Sequence, residues 1–390
     1  MRTQVGIVGA GPAGLMLSHL LHREGVESVV LEARSRDYVE QRVRAGVLEQ
    51  GSVELLVETG LGDRLKREGA VHEGINLQFD SERHRVPMTE LTGRAITIYG
   101  QQEVVRDLVA ARLAAGADLR FEVDDVRLDG LATDQPVIRF RQAGRDEELH
   151  CDFVAGCDGF HGVCRDAVPA GVLRTYQRDY PFAWLGVLAR AAPAIEELTY
   201  CDHPAGFALY SLRSPEVSRL YLQVPPEEDI AGWSDRRIWD ELHRRLETGD
   251  GWVVNEGPVL EKGVTPVRSF VVEPMQWRRL YLAGDAVHIV PPTGAKGMNL
   301  ALADVRLLGR GFAAWYAGGG SGLLDAYSAT ALRRVWRAQH FSWWMTSMLH
   351  RFAGDDAYQE RLQLSQLRYV VTSRAYATSL AENYVGLPTV

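Results

Sequence analysis

Short apolar runs alternate with stretches of helical periodicity along this chain, a pattern that predicts a mixed α/β fold. The first 35 residues read as a strand, a helix and a second strand, and residues 46–58 read as a helix. Residues 101–115 carry apolar side chains at helical spacing, whereas residues 119–156 read as strands. The chain therefore begins with a βαβ unit of the kind found in parallel sheets.

The centre of the chain is rich in strands, and its last part is helical. At 390 residues, the chain exceeds the roughly 250 to 300 residues at which single cores stop growing. We therefore expect an α/β domain that is interrupted by a strand-rich domain. The later elements are expected as strands at 183–188, 206–212, 219–224 and 279–285, a helix at 236–246 and mainly helices at 297–384.

The first predicted turn carries a Gly-x-Gly-x-x-Gly motif between a strand and a helix. Gly9 permits the tight turn, Gly11 lets the backbone approach a pyrophosphate, and Gly14 brings the helix against the sheet. Glu32 follows the second strand, where it can hold a ribose hydroxyl. An ordinary glycine-rich turn is the alternative, but strand, helix and acidic residue together favour a dinucleotide site with its pyrophosphate on the helix N-terminus.

Composition and charge argue against several classes of protein. Hydrophobic residues make up 46% of the chain, yet no uninterrupted run reaches the ~20 apolar residues of a membrane span. The N-terminus lacks a signal-peptide pattern, so we expect a cytoplasmic protein with no membrane partner. A net charge of −8 argues against nucleic acid as a partner. The four cysteines lack the paired spacing of a zinc site, and no metal site is expected.

Three motifs occur in order along the chain: the glycine motif at 9–14, Cys-Asp-Gly at 157–159 and Gly-Asp-Ala-Val-His at 284–288. Together they resemble the class A flavoprotein aromatic hydroxylases, and their joint occurrence is more specific than any one of them. The resemblance is closest to the branch of that family that acts on 4-hydroxybenzoate, and it runs from residue 3 to residue 388. The stretches that carry this closer resemblance are 42–50, 291–297, 341–346 and 382–388.

The resemblance implies an α/β fold in which a Rossmann-like FAD-binding domain of the GR2 type is interrupted by a strand-rich substrate domain and followed by C-terminal helices. It also implies a homodimer. Aromatic residues at helical spacing between 332 and 344 suit such an interface, although core packing is the plainer interpretation. The expected parts are FAD-binding segments at 1–75, 101–180 and 271–297, substrate-domain strands at 76–100, the main substrate domain at 181–270 and the helical region at 298–390.

The implied activity is FAD-dependent hydroxylation of 4-hydroxybenzoate at its 3-position, which yields 3,4-dihydroxybenzoate. NADH or NADPH and O2 would be the co-substrates, and a flavin C4a-hydroperoxide would donate the oxygen. A hydroxylase of another small phenolic acid and a flavin-linked NAD(P)H oxidoreductase remain as alternatives. The absence of a redox C-x-x-C pair disfavours the disulfide reductases that share this fold.

Electrophilic hydroxylation of the ring needs the substrate phenol as its phenolate. A simple phenol has a pKa of ~10, so its ionisation near pH 7 requires roughly 4 kcal/mol from the site. The resemblance assigns Tyr200 to the substrate hydroxyl, Tyr384 to the next step of a proton relay and His72 to the exit to water, where histidine titrates suitably. It also puts the Pro292 carbonyl at the substrate hydroxyl. On their own, the tyrosines would be core aromatics and His72 a surface or core histidine.

A substrate carboxylate needs a cation and hydrogen-bond donors. Ser211 and Arg213 alternate along a predicted strand and so point to one face. A guanidinium there can hold a carboxylate through two bonds. The resemblance adds Tyr221 and Thr293 to the substrate contacts, while the outward polar face of an antiparallel sheet is the alternative for this strand.

The cofactor contacts also follow from the resemblance. Asp285 would accept from the ribityl chain, and backbone amides through Gly297 and Asn299 would stabilise negative charge on the reduced ring. Lys296 would add a positive field. The expected FAD-binding residues are Gly9, Gly11, Ala13, Gly14, Glu32, Arg42, Arg44, Val47, Gln102, Asp158, Gly159, Asp285, Lys296, Gly297, Met298 and Asn299.

No separate nicotinamide domain is expected. Relatives that favour NADPH place an arginine directly after the acidic residue of the second strand, whereas this chain has Ala33 there. We therefore predict that NADH is used at least as well as NADPH. The residues assigned to the transient dinucleotide are Arg34, Tyr38, Arg44, His161, Arg165 and Arg268.

Overall fold

The computed structural model describes residues 1–42, 44 and 46–386. Val43, Ala45, Leu387 and Pro388, which belong to two of the stretches that carry the resemblance, lie outside the described residues. The strands are β1 (Val5–Val8), β2 (Ser28–Leu31), β3 (Val47–Leu48), β4 (Ala70–His72), β5 (Ile75–Phe79), β6 (Glu82–Val86), β7 (Ile96–Ile98), β8 (Asp118–Arg120), β9 (Val123–Asp129), β10 (Val137–Gln142), β11 (Arg145–His150), β12 (Phe153–Gly156), β13 (Arg174–Ala189), β14 (Thr199–Cys201), β15 (Ala208–Ser214), β16 (Val217–Val224), β17 (Val259–Glu273), β18 (Gln276–Trp277), β19 (Leu280–Leu282) and β20 (His288–Ile289).

Apart from α7 in the middle of the chain, the helices lie in its first third and its last quarter. They are α1 (Pro12–Arg23), α2 (Arg36–Gln41), α3 (Gln50–Glu58), α4 (Gly62–Glu68), α5 (Met88–Thr92), α6 (Gln101–Ala114), α7 (Asp235–Leu246), α8 (Gly297–Tyr316), α9 (Gly322–Asp325), α10 (Tyr327–Leu349), α11 (Ala357–Thr372) and α12 (Arg374–Val385). The helices predicted at 101–115 and 236–246 and the helical last part are confirmed. The helix predicted from residue 46 is wrong at its start, because Val47 and Leu48 pair with β7 as a strand.

A six-stranded sheet forms the first layer, in the order β18-β19-β12-β1-β2-β8. Strand β1 lies between β12 and β2 and is parallel to both. All four residues of β1 are buried, as expected for a parallel strand that is covered on both faces. The glycine motif therefore leaves the carboxyl end of a central strand, where open α/β sheets bind their ligands.

An eight-stranded sheet forms the second layer, in the order β20-β17-β13-β16-β15-β14-β5-β6. Its strands come from residues 75–86, 174–224 and 259–289, so the chain passes repeatedly between the two sheets. One face packs on α7 through Ile238, Trp239 and Leu242. The opposite face packs on the C-terminal helices, and Tyr200 and Tyr221, two of the expected substrate residues, lie on that face.

Two small three-stranded sheets complete the fold, in the orders β11-β10-β9 and β3-β7-β4. Helices α1 and α8 pack against one another beside the six-stranded sheet. Within the described residues, no helix is both long enough and apolar enough to cross a bilayer. The same residues hold no group of three metal-binding side chains.

Candidate active site

The glycine motif forms a tight turn between β1 and α1. Gly9 has a φ of +104°, and a Cβ atom there would lie 2.3 Å from the carbonyl oxygen of Cys157. A Cβ atom on Gly14 would lie 1.9 Å from the carbonyl oxygen of Gly9, so only glycine lets helix α1 approach the strand this closely. A Cβ atom on Gly11 would meet nothing within 4 Å. Open space thus faces the turn where a pyrophosphate would approach.

Two helix N-termini present unbonded backbone amides beside this turn. Helix α1 has Gly11 as its N-cap residue, and helix α8 has Lys296. At both helices, no side chain of the N-cap residue accepts a hydrogen bond from the first backbone N–H groups. The first amides of a helix have no partner within it, and they attract negative charge. Gly297 is likewise open, since a Cβ atom there would meet nothing within 4 Å. These backbone N–H groups can donate hydrogen bonds to a pyrophosphate at α1 and to an anionic flavin ring at α8.

The Gly-Asp turn after β19 is held in place by a buried ion pair. Asp304 on α8 accepts hydrogen bonds from the backbone N–H of Gly284 and from Nε2 of His288, at 3.0 and 2.6 Å. Asp285 is exposed although its neighbours Gly284 and Ala286 are buried, so its carboxylate is free to meet a ligand. Asp304 was not anticipated from the sequence, because an aspartate within a helical pattern carries no signal of its own.

Glu32 and Asp158 present carboxylates around the same turn. Glu32 accepts from the backbone N–H groups of Ala10 and Arg34, at 2.7 and 2.8 Å, and so braces the glycine motif itself. Asp158 accepts from the backbone N–H of Cys164 at 2.8 Å, while its Oδ1 atom is buried and has no protein partner. Burial raises the pKa of Asp158. With the open glycine and the helix amides, these acceptors fit a bound FAD.

Tyr200 and Tyr384 are brought together in the core between the eight-stranded sheet and α12. Their hydroxyl groups share a short hydrogen bond, and both side chains are buried. Burial raises the pKa of Tyr200, which the hydrogen bond from Tyr384 opposes, and burial also raises the pKa of Tyr384. Both phenols are therefore neutral near pH 7 and can pass a proton along the hydrogen bond.

His72 lies at the end of β4, buried, and neither ring nitrogen has a partner among the described protein groups. No hydrogen bond joins it directly to Tyr384 within the described residues. Burial lowers the pKa of His72 to about 4, and Glu197 opposes that shift. The imidazole is thus neutral near pH 7, which is the form that accepts a proton.

Arg213 is a guanidinium without a carboxylate partner among the described residues. It donates to the carbonyl oxygen of Arg44 at 2.6 Å and to the side-chain oxygen of Gln102 at 2.8 Å, while its Nε is buried and unpartnered. Burial lowers the pKa of Arg213, although a guanidinium stays charged in proteins. A half-buried cation of this kind is stabilised when an anion binds beside it.

The register of the sheet aligns the remaining substrate candidates. Tyr200 lies opposite Leu209, and Leu209 lies opposite Tyr221, so the two tyrosines share one face, two strands apart. Two strand spacings of ~4.8 Å separate them by roughly 10 Å. Ser211 pairs with Arg219 on that face, and the register shifts between Leu212 and Ser214, next to Arg213. The face thus carries a phenolic end and a cationic end.

Pro292 and Thr293 form a short turn that closes the site from the side of α10. The Thr293 hydroxyl shares a 2.9 Å hydrogen bond with the hydroxyl of Thr346, and both residues are buried. The turn packs closely, because a Cβ atom on Gly294 would lie 2.7 Å from Oγ of Ser342. Helix α10 therefore fixes the position of the Pro292 carbonyl.

Lys296 and Asn299 are engaged by protein groups. Lys296 donates to Glu49 and to the carbonyl oxygen of Tyr384, at 2.8 and 2.9 Å, and Glu49 also accepts from Arg334. The Asn299 side chain donates to the Val47 carbonyl oxygen and accepts from the backbone N–H of Glu49. These side chains tie the segment after residue 46 to α8, so their expected role towards the cofactor stays a prediction that rests on charge and on backbone amides.

Comparison with known proteins identifies the family. A family model described as an FAD binding domain matches residues 2–342. Over 389 residues, the chain is 46% identical to the p-hydroxybenzoate hydroxylase of Acinetobacter baylyi, a match that covers 100% of this chain and 96% of the relative. The chain belongs to the class A flavoprotein hydroxylases.

A more distant relative and a solved structure are also similar to this chain. A rifampicin monooxygenase of Streptomyces venezuelae is 29% identical over 331 residues, which cover 83% of this chain and 67% of that protein. The crystal structure of p-nitrophenol 4-monooxygenase from Pseudomonas putida superposes with a TM-score of 0.84 at 18% identity and covers 99% of both chains. That last likeness shows the fold alone. As in the rest of the family, FAD is the cofactor and a reduced nicotinamide is the co-substrate.

In this flavoprotein hydroxylase, three of the expected nicotinamide contacts gather around Phe160. Arg165 and Arg268 lie over its ring at 5.2 and 5.1 Å, and His161 packs against its edge. Arg165 also donates to the carbonyl oxygens of Ala286 and Phe160. Phe160 was not anticipated from the sequence, although its place directly after Asp158-Gly159 is a usable signal.

Tyr38, another expected nicotinamide contact, lies beside Arg34 of the same set and beside Arg42, which was expected to contact FAD. Arg34 and Arg42 lie over its ring at 5.5 and 5.8 Å. A cavity of about 430 Å³ lies between helix α2 and β17. Its walls include Tyr38, Gln41, Arg42, Arg44, Arg219 and Glu261.

Proposed function

We propose that this protein hydroxylates 4-hydroxybenzoate at C3 to give 3,4-dihydroxybenzoate, with NAD(P)H and O2 as co-substrates. Arg213 carries the proposal, because it is a half-buried cation whose Nε is buried and unpartnered, and it has no carboxylate partner in the described part of the chain. The bonded tyrosines at the other end of the same face, and the p-hydroxybenzoate hydroxylase of A. baylyi at 46% identity, support it. An aromatic ring with a carboxylate and a para hydroxyl would place its carboxylate at the cationic end of this sheet face and its hydroxyl at the phenolic end.

The protein groups hold such a substrate at both of its ends. The carboxylate is oriented by Arg213, Ser211 and Tyr221. These contacts fix the position of the aromatic ring from its carboxylate end. Tyr200 accepts the proton of the substrate hydroxyl as it donates its own to Tyr384, and the proton leaves through His72 to water. The bound FAD would take a hydride from the nicotinamide and activate O2. Burial of Thr293 and Thr346 beside the site keeps bulk water away.

Identification of the product tests this proposal. The purified protein is incubated with FAD, NADH or NADPH, O2 and 4-hydroxybenzoate, and the products are separated by chromatography. We expect 3,4-dihydroxybenzoate in proportion to the nicotinamide oxidised. Product formation only from a different phenolic acid would favour the first alternative, and nicotinamide oxidation without any hydroxylated product would favour a flavin-linked oxidoreductase.

Replacing Tyr200 with phenylalanine should uncouple the reaction. Substrate binding and flavin reduction should persist, because the aromatic ring remains, but the phenolate loses its hydrogen-bond partner and oxygen is released as hydrogen peroxide. The peroxide yield per nicotinamide oxidised is the measurement. Tyr210→Phe is the matched control, since Tyr210 is an equally buried tyrosine on the opposite face of β15. Full hydroxylation by Tyr200→Phe would refute the relay.

NADH should be used at least as well as NADPH. A cavity of about 390 Å³ beside α2 is lined by Ala33, Arg34, Ser35, Tyr38, Glu122 and Asp124. The two carboxylates in this lining would repel a 2′-phosphate that entered the cavity. Arg36 is paired with Glu40 at 2.6 Å, which leaves Arg34 as the cation at this wall. The ratio of kcat/KM for the two cofactors decides the matter. A preference for NADPH above tenfold, or about 1.4 kcal/mol, would contradict this prediction.

The domain division, the oligomeric state and the location also belong to the proposal. The strands of the six-stranded sheet lie within the proposed FAD-binding segments. In the eight-stranded sheet, β5, β13 and β17 run across the proposed boundaries at 75/76, 180/181 and 270/271, and β20 lies in the proposed FAD-binding segment 271–297. A homodimer is supported by exposed aromatic residues on α10 and α11, namely Trp336, Trp343, Tyr358 and Tyr369. Light scattering of the purified protein tests for the dimer. A cytoplasmic location is supported by four unpaired, buried cysteines and is tested by cell fractionation.

A further inference from the structure

The segment just before β14 lies between Tyr200 and His72, the two ends of the proton relay. Strand β14 carries Tyr200, and Glu197 lies three residues earlier on the same segment. The backbone N–H of Asn76, just after β4 and on β5, donates to the carbonyl oxygen of Leu198 at 2.7 Å. His72 ends β4, so this pairing holds the Glu197 segment beside the His72 segment.

Glu197 is the charged group that acts on His72. Burial lowers the pKa of His72, and the charge of Glu197 opposes that shift. The two hydrogen bonds from Arg85 to Glu197 are 2.7 and 2.8 Å long. Burial opposes these bonds, but they and the N–H of Gly74 lower the pKa of Glu197, so it is a carboxylate near pH 7.

Arg85 does not cancel the field of Glu197 at the imidazole. The Arg85 side chain is 47% exposed, whereas that of Glu197 is only 17% exposed, so water screens the cation more than the anion. Glu73 and Glu90 also face Arg85 and offset its charge. Gly74 fixes the geometry, since a Cβ atom there would lie 2.9 Å from the guanidinium carbon of Arg85.

We propose that Glu197 is a positioning residue of the hydroxylase, which stabilises the transiently protonated His72 and so promotes transfer of the substrate proton to bulk water. The inference rests on the proposed function. One proton moves from the substrate hydroxyl through Tyr200 and Tyr384 to the imidazole, and then to water, while the substrate remains as phenolate. No electron transfer takes part in this step.

The experiment follows proton release in weakly buffered solution. The FAD-loaded protein is mixed rapidly with 4-hydroxybenzoate near pH 7 in the presence of an indicator dye. Glu197→Gln should slow proton release three- to tenfold, since one unit of pKa at the acceptor corresponds to a factor of ten. The Kd for 4-hydroxybenzoate should stay within about twofold, because Glu197 does not line the substrate-binding face. Glu197→Asp keeps the charge and should restore most of the rate.

Glu196→Gln is the matched control, because it removes the same charge from the adjacent, exposed position. A wild-type release rate in Glu197→Gln, or equal slowing in Glu196→Gln, would overturn the proposal. Tyr200→Phe separates this outcome from failure of the proposed function: slow release in Tyr200→Phe together with wild-type release in Glu197→Gln leaves the relay intact and removes only Glu197. If the wild-type protein binds 4-hydroxybenzoate without releasing any proton, both the relay and the role of Glu197 are wrong.

Discussion

Replacing Arg213 with alanine should weaken binding of 4-hydroxybenzoate by about 2 to 5 kcal/mol, or roughly 30-fold to several-thousand-fold in Kd. The size of the effect follows from the unpaired charge of this half-buried guanidinium. Arg213 has no carboxylate partner in the described part of the chain, and its Nε lacks any protein acceptor. The alanine variant would leave the substrate carboxylate in the same place without a counter-charge. Titration of the FAD-loaded protein, followed by the flavin absorbance, measures the Kd.

Two comparisons separate the lost charge from general damage to the site. Arg213→Lys keeps the charge but not the two-pronged geometry, so its Kd should lie between those of the wild type and the alanine variant. Phenol lacks the carboxylate, and its weak binding should change little in Arg213→Ala. An unchanged affinity for 4-hydroxybenzoate would show that another cation holds the carboxylate.

The sequence allowed the nucleotide-binding half of the fold to be predicted closely, because the physical demands there are local. The turn places Gly14 against the carbonyl group of Gly9, so position 14 tolerates no side chain. A glycine at that position is therefore visible in the sequence. The same holds for α6 and α7, where apolar spacing and flanking polar residues define each helix. Residues 46–49 were less predictable, since a short β-pairing with β7 overrides local helical preference there.

The site required contacts that no local pattern contains. Tyr200 and Tyr384 are 184 positions apart, and only the packing of α12 against the eight-stranded sheet brings their hydroxyls together. The resemblance to a family supplied that pair in advance, whereas spacing could not. Phe160, Asp304 and Glu197 escaped notice for the same reason, because each acts through a neighbour that is distant in the sequence or has no motif of its own.

The contacts of Lys296 change the role that the sequence suggested for it. The sequence suggested a positive field near the flavin ring from a rare lysine between two glycines. The structure shows that Glu49 neutralises it, and that Arg334 then supplies a second cation to the same carboxylate. The group of three retains one net positive charge if all are ionised. Any field at the ring therefore comes from the whole group rather than from Lys296 alone.

Replacing Gly11 with leucine should abolish FAD binding while leaving the fold intact. The protein should purify without the yellow colour of a flavoprotein and should not regain it when FAD is added. The reason is geometric, because a Cβ atom on Gly11 meets no protein atom within 4 Å and would stand in the space where the pyrophosphate approaches α1. Flavin absorbance after gel filtration measures the bound FAD, and circular dichroism measures the fold.

Two other glycines make this result interpretable. At Gly322, at the start of α9, a Cβ atom also meets nothing within 4 Å, so Gly322→Leu adds the same side chain away from the glycine motif and should purify yellow. At Gly14 the added Cβ atom would collide with the Gly9 carbonyl, so Gly14→Ala should lose FAD together with thermal stability. Loss of FAD without loss of fold is therefore expected of Gly11→Leu but not of Gly14→Ala. If Gly11→Leu bound FAD with wild-type affinity, the pyrophosphate could not lie at the N-terminus of α1.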